Sequence, residues 1–103
     1  MEDDITVEGI MLMIRNFAKE RQWYVYHTPR NIALAILGEM GELAEIFQWF
    51  GDGEEAIADK LSEETLDKVG QEIADVAIYL IRLCDVCRVR LGEMAMRLLD
   101  ERS

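Results

Sequence analysis

The spacing of the apolar residues constrains the fold of this chain most. Apolar side chains recur at steps of three and four residues along almost the whole sequence, and strand-like alternation is absent. The single proline, Pro29, follows Thr28, a favoured residue for capping the start of a helix. The pattern therefore predicts an all-α fold.

Four helices account for this periodicity. The first is expected over about 5–21, and the second over about 30–50, where the GDG segment at 51–53 ends it. Ser62 caps a third helix that runs to about 88, and a shorter fourth helix covers about 91–102. No linker or low-complexity tract interrupts residues 1–103. We therefore expect one domain with the architecture of an antiparallel four-helix bundle.

Charge and length restrict what this domain can bind. A chain of 103 residues forms one small core, and partner subunits often supply further burial at this size. The 21 acidic residues outnumber the 11 basic residues, and the net charge of -10 opposes binding to a nucleic acid polymer. Many carboxylates with few cations instead favour a divalent metal ion.

The sequence contains no secretory signal, and its longest apolar region, 32–50, is interrupted by three glutamates. A soluble, cytoplasmic protein without a membrane partner is therefore expected. Cys84 and Cys87 have the C-x-x-C spacing of redox pairs and zinc sites, but both lie within an apolar helical pattern, and the only histidine is distant in sequence. We interpret them as buried core cysteines.

Two pairs of carboxylates carry the main functional signal. Glu39 and Glu42 lie three residues apart on the second helix, as do Glu72 and Asp75 on the third, so each pair shares one helix side. If these sides face each other, four negative charges meet, which is unfavourable without a cation between them. Mg²⁺ prefers such ligands and leaves positions for substrate phosphates. A solvated acidic face is the alternative, but the apolar surroundings of residues 39–45 favour the metal.

Aromatic residues accompany the carboxylates. Trp49 follows Glu42 by seven residues and Tyr79 follows Asp75 by four, so each can lie on the same helix side as its carboxylate. Trp23 and His27 come just before the second helix. These side chains could form the walls of a pocket for a nucleotide base. They could equally be ordinary core or interface aromatics, and the spacing does not separate the two interpretations.

Four segments carry a resemblance to a known family: FAKERQW at 17–23, HTPRN at 27–31, GEMGELAEIFQW at 38–49 and EIADVAIYL at 72–80. Together they resemble the dCTP pyrophosphatase branch of the MazG-like, all-α nucleoside triphosphate pyrophosphatases. The E-x-x-E pattern followed by E-x-x-D is typical of the superfamily, whereas the H-x-P-R-N and E-L-A-E-[IL]-F-Q-W motifs narrow the resemblance to this branch.

The resemblance implies Mg²⁺-dependent hydrolysis of a nucleoside triphosphate, dCTP or a modified dCTP, to the monophosphate and pyrophosphate, which clears unwanted nucleotides from the pool. It also implies a homodimer or homotetramer with the active site near a subunit interface. Glu45 is a candidate for holding or deprotonating the attacking water. The residues implied to bind Mg²⁺ are Glu39, Glu42, Glu72 and Asp75, and those implied to contact the nucleotide are Trp23, His27, Trp49 and Tyr79.

Two departures from the pattern bear on the substrate. Ile14 occupies a position where dCTP-specific relatives often carry a histidine. Residues 96–103 lack the Lys-Met, the asparagine and the basic tail of those relatives, although Arg97 or Arg102 could substitute for a phosphate-binding cation. A broader or dUTP-directed pyrophosphatase of the same superfamily is therefore an alternative. From another class, a non-catalytic helical oligomerisation module would also carry an acidic face and apolar contacts.

Overall fold

A computed structural model describes residues 5–22, 27–51 and 61–103 of the chain. Across these residues the secondary structure consists of helices, without any strand. The helices are α1, Val7–Glu20; α2, Pro29–Phe47; α3, Glu63–Cys87; and α4, Leu91–Glu101. The predicted all-α fold is therefore confirmed.

The two predicted helix caps are present. The hydroxyl of Thr28 accepts a hydrogen bond from the backbone N–H of Asn31 at 3.2 Å, and Ser62 accepts one from the backbone N–H of Thr65 at 3.1 Å. Each cap satisfies a donor that the first turn of a helix leaves without a partner. The starts of α2 and α3 are thus fixed by local sequence.

The end of α2 differs from the expected one, whereas the end of α3 agrees with it to within one residue. α2 ends at Phe47, three residues before the expected end at Phe50, because the chain enters a turn in which the N–H of Phe50 donates to the carbonyl of Phe47 at 3.0 Å. α3 ends at Cys87 because Arg88 adopts a left-handed conformation with φ of 58°. Glycine usually supplies this conformation at a helix end.

α3 is the central helix of the described structure, since it packs against both α2 and α1. Among residues 5–22, 27–51 and 61–103, the buried apolar residues come from these three helices: Ala18, Ile32, Val76 and Ile81. α4 has few contacts with the other helices and buries no residue. An apolar run such as 32–37 of α2 is typical of a helix that neighbours enclose on most sides, but Leu34 is 51% and Leu37 is 70% exposed. Within one chain, α2 is covered mainly by α3.

The cysteines at the end of α3 are free thiols, and Cys84 is half-buried whereas Cys87 is exposed. The prediction that both are buried was wrong for Cys87, which is the last residue of α3 and precedes a segment with little packing. Among the described residues, the group of side chains arranged to hold a metal contains neither cysteine. No helix in the described part of the chain combines the length and hydropathy needed to cross a membrane.

Candidate functional site

Three of the four predicted metal ligands converge between α2 and α3. One carboxylate oxygen from each of Glu39, Glu72 and Asp75 lies within 4.8 Å of the other two. The three-residue step places Glu72 and Asp75 on one side of α3. Packing of α2 against α3 brings Glu39 to the same place. We call these three residues the acid cluster.

The electrostatics of the acid cluster favour a bound cation. Oε2 of Glu39 and Oε2 of Glu72 are buried and make no hydrogen bond with any described group. Burial raises the pKa of both carboxyls, and the nearby negative charges of Glu42 and Asp75 raise them further. Buried carboxylates of this kind need compensation. Because every atom available to ligate a metal is a carboxylate oxygen, the cluster fits a hard divalent cation such as Mg²⁺.

The other two predicted carboxylates of α2 lie outside the acid cluster. Glu42 is exposed, yet its charge raises the pKa of both Glu39 and Glu72, so it lies at the edge of the cluster. Glu45 is exposed one turn further along α2. The roles assigned to Glu42 and Glu45 by resemblance stay predictions.

A cavity of about 450 Å³ opens beside the acid cluster. Its lining is mostly apolar and includes Asp75, which therefore belongs to both the cavity and the cluster. This volume is within the range of about 300–1,000 Å³ typical of small-molecule sites. The lining residues are Ile5, Ile10, Met13, Ile14, Phe17, His27, Asp75, Ile78, Tyr79 and Arg82.

The predicted nucleotide contacts are placed differently by the structure. His27 and Tyr79 line the cavity and are half-buried, and Ile14 lines it as well. Trp49 lies after the end of α2, is 86% exposed and does not line the cavity of this chain. Trp23 lies outside the described residues. A nucleotide contact by Trp49 or Trp23 stays a prediction.

Sequence analysis did not identify Arg82, a buried residue of the cavity wall. Its Nε donates a hydrogen bond to Nδ1 of His27 at 3.1 Å, and its Nη1 donates to Oδ2 of Asp85 at 3.3 Å. Burial, together with the charge of Arg82, lowers the pKa of His27. The available signal was a basic residue within an apolar stretch, followed three residues later by an acid.

Asp85 also joins α3 to α1. Arg15 donates to its two carboxylate oxygens, from Nε at 3.0 Å and from Nη2 at 2.7 Å. This two-point contact is the strong form of an ion pair between arginine and a carboxylate. The hydrogen bond from Arg15 is the main reason that the pKa of Asp85 is lowered. The cavity wall formed by α1 is thereby tied to α3.

Known proteins are similar to this chain in sequence. dCTP pyrophosphatase 1 of Homo sapiens is 42% identical to this chain over 95 residues, which cover 92% of the chain and 55% of the human protein. The Bos taurus protein of the same name is 41% identical over 95 residues, with 92% and 56% covered. The chain thus spans about half the length of the curated relatives it matches. No protein-family model matches the sequence.

A solved structure extends the comparison to the whole fold. The crystal structure of a pyrophosphatase from Archaeoglobus fulgidus superposes with a TM-score of 0.85 and 36% sequence identity. The superposition covers 99% of this chain and 93% of the archaeal chain. Identity at this level over nearly the whole of both chains reflects a shared family as well as a shared fold. The chain therefore belongs to the all-α pyrophosphatase family that the sequence motifs indicated.

Proposed function

We propose that this chain is a Mg²⁺-dependent nucleoside triphosphate pyrophosphatase that acts on dCTP or a modified dCTP. The observation that carries the proposal is the position of Asp75, which belongs both to the acid cluster and to the apolar cavity. A ligand with a charged end and an aromatic end matches this arrangement, because the phosphates can lie at the cluster while the base enters the cavity. The names of the relatives supply the choice of dCTP.

Different residues would bind the phosphates and the base of the substrate. Glu39, Glu72 and Asp75 would hold Mg²⁺, with Glu42 at the edge of the site. When bound, Mg²⁺ supplies charge neutralisation and polarisation of the phosphoryl oxygens. Glu45 is proposed to orient the water that attacks the α-phosphorus, which releases pyrophosphate and leaves the monophosphate.

The cavity would bind the base. Its α1 lining is apolar and excludes water from the bound ring, while His27 and Tyr79 add aromatic surfaces with polar edges. Ile14 belongs to the same lining and offers no hydrogen bond to a base. This observation favours a second candidate within the same chemistry, a pyrophosphatase that accepts several pyrimidines, including dUTP.

We also propose that the working form is a homodimer or homotetramer. Large apolar side chains stay exposed on α2 and α4, including Leu37 at 70%, Met96 at 73% and Leu99 at 70%. Exposed apolar surface of this extent is typical of interaction sites. A second copy would cover these faces, and Trp49, which is 86% exposed, could contact a nucleotide at such an interface. Sedimentation equilibrium of the wild-type chain and of Leu37→Glu tests this, because a monomeric wild type would contradict it.

The proposed reaction is tested by pyrophosphate release from a panel of dNTPs, NTPs and modified dCTPs, each with Mg²⁺ and with a chelator. Turnover that requires Mg²⁺ and prefers dCTP or its modified forms is the expected result. Comparable turnover of dCTP, dUTP and dTTP would favour the broader enzyme. No turnover on any nucleotide would favour the non-catalytic oligomerisation module.

Paired variants test the acid cluster as the catalytic centre. Asp75→Asn and Glu39→Gln keep the side-chain size but weaken metal binding, so we expect the Mg²⁺-dependent rate to be lost. Glu64→Gln is the matched control, because Glu64 is an exposed glutamate on α3 whose recorded partner is Lys68 at 4.0 Å. Full activity in both cluster variants would contradict the assignment.

A further inference from the structure

Arg82 carries a buried positive charge and has no role in the proposed reaction. Its side chain is 9% exposed, and it lines the cavity together with His27 and Asp75. A buried guanidinium is costly unless hydrogen bonds and an opposite charge compensate it. Arg82 has both kinds of partner, since it donates to His27 on one side and to Asp85 on the other. Its position is therefore specified by two contacts.

The contact with His27 determines where the imidazole carries its hydrogen. Nε of Arg82 lies 3.1 Å from Nδ1 of His27 and donates to it. A guanidinium has only donors, so Nδ1 must contribute a lone pair. The ring is then neutral with its hydrogen on Nε2, because a doubly protonated imidazole would set two donors against each other.

The contact with Asp85 holds Arg82 in turn. Asp85 is 14% exposed and receives Arg82 on one oxygen at 3.3 Å, while Arg15 of α1 donates to both of its oxygens. Arg15 itself is 51% exposed and lies outside the cavity lining. The network therefore runs from the surface of α1, through α3, to His27, which lies two residues before the start of α2.

We propose that Arg82 is a positioning residue for ligand recognition, which holds His27 of the cavity wall as the neutral tautomer protonated on Nε2 while the Asp85–Arg15 pair holds Arg82. A ring fixed in this way can offer a ligand an N–H donor and never a lone pair. The cavity then discriminates in favour of a base edge that carries acceptors, such as a carbonyl beside a ring nitrogen. The part concerning the base rests on the proposed function, whereas the tautomer does not.

The chain suits a direct test because His27 is its only histidine. Protein labelled with ¹⁵N and purified without a histidine tag should give one set of imidazole signals, which two-dimensional NMR assigns to protonated and non-protonated nitrogens. At neutral pH we expect Nε2 to be protonated and Nδ1 to be non-protonated. A hydrogen on Nδ1 in the wild-type protein would overturn the proposal without any variant.

A variant separates positioning from simple stability. In Arg82→Met the tautomer preference should weaken, and KM for the preferred nucleotide should rise by up to about tenfold, the equivalent of one hydrogen bond, with kcat within about twofold. Lys68→Met, an exposed cation on the same helix, is the control and should change neither quantity. An unchanged tautomer and an unchanged KM in folded Arg82→Met would refute the positioning role.

Failure of the proposed function and failure of the role of Arg82 give different results. Absence of turnover in the wild-type chain on every nucleotide would remove the proposed function and, with it, the preference for an acceptor edge. The NMR measurement would still decide whether Arg82 sets the tautomer of His27. A correct tautomer with a loss of kcat and no change of KM in Arg82→Met would overturn the recognition role.

Discussion

The change Glu72→Gln should make the metal-free protein more stable while removing its response to Mg²⁺. Oε2 of Glu72 is buried without a hydrogen-bond partner among the described residues, and burial with the charges of Glu42, Glu39 and Asp75 raises the pKa of this carboxyl. The folded, metal-free protein therefore disfavours the ionised form of this carboxyl relative to the unfolded chain. A neutral amide removes that charge, so the melting temperature in chelator should rise.

In Mg²⁺ the same substitution should have the opposite effect, because it removes a metal ligand and with it the stabilisation that Mg²⁺ provides. A ligand at ten times its dissociation constant stabilises the folded state by about 1.4 kcal/mol. For a domain of this size, that is a shift of about 6–11 °C in melting temperature. If losing one carboxylate ligand weakens binding by about a hundredfold, the same Mg²⁺ concentration stabilises by less than about 0.1 kcal/mol, or under about 1 °C.

Thermal unfolding followed by circular dichroism, in chelator and in Mg²⁺ without nucleotide, measures both effects. Glu64→Gln is the control, because its side chain is 84% exposed on the same helix, so its Mg²⁺ response should equal that of the wild type. A Glu72→Gln protein whose melting temperature in chelator is below that of the wild type, or whose melting temperature rises with Mg²⁺ as much as that of the wild type, would refute the reasoning.

Three further predictions concern the cavity and the core. Ile14→His adds a hydrogen-bond donor to the cavity lining and should raise the ratio of kcat/KM for dCTP to that for dTTP by about two- to tenfold. Competition between the two substrates measures this ratio, and an unchanged ratio would exclude base contact at this position. The pKa of His27 is lowered below 6.5, so the unfolded chain binds more protons than the folded chain as the pH falls through that value. The contribution of His27 to the free energy of unfolding should therefore be complete above about pH 6.5 and decrease below it. Urea unfolding of His27→Gln should lack this pH dependence. Ile32→Ala should lower the free energy of unfolding by about 2–5 kcal/mol in urea titration, because Ile32 is only 1% exposed. Leu12→Ala, at 54% exposure, is the control and should cost far less.

The parts of the structure that sequence predicted well depend on short-range rules. The caps at Thr28 and Ser62 involve residues three apart, as does the pairing of Glu72 with Asp75 on one side of α3. Each of these features can be read within a single helical turn.

The features that were missed depend on contacts between distant segments. Arg82 meets a histidine 55 residues away, and Asp85 meets an arginine 70 residues away. The three- and four-residue steps of the apolar residues predict an apolar face on α1, but only the packing of α1 against α3 shows that residues such as Ile10 and Met13 line a cavity. Side-chain periodicity specifies that a face is apolar without specifying what lies opposite it.

The shared position of Asp75 has a consequence for how such a site can change. Within the lining, α3 contributes a residue that also belongs to the acid cluster, so substitutions beside it on α3 risk altering recognition and chemistry together. α1 contributes lining residues such as Ile10, Met13 and Ile14, and none to the acid cluster. New ligand preferences can therefore arise on α1 while the acid cluster stays intact, which makes α1 the helix to randomise when the cavity is to accept another ligand.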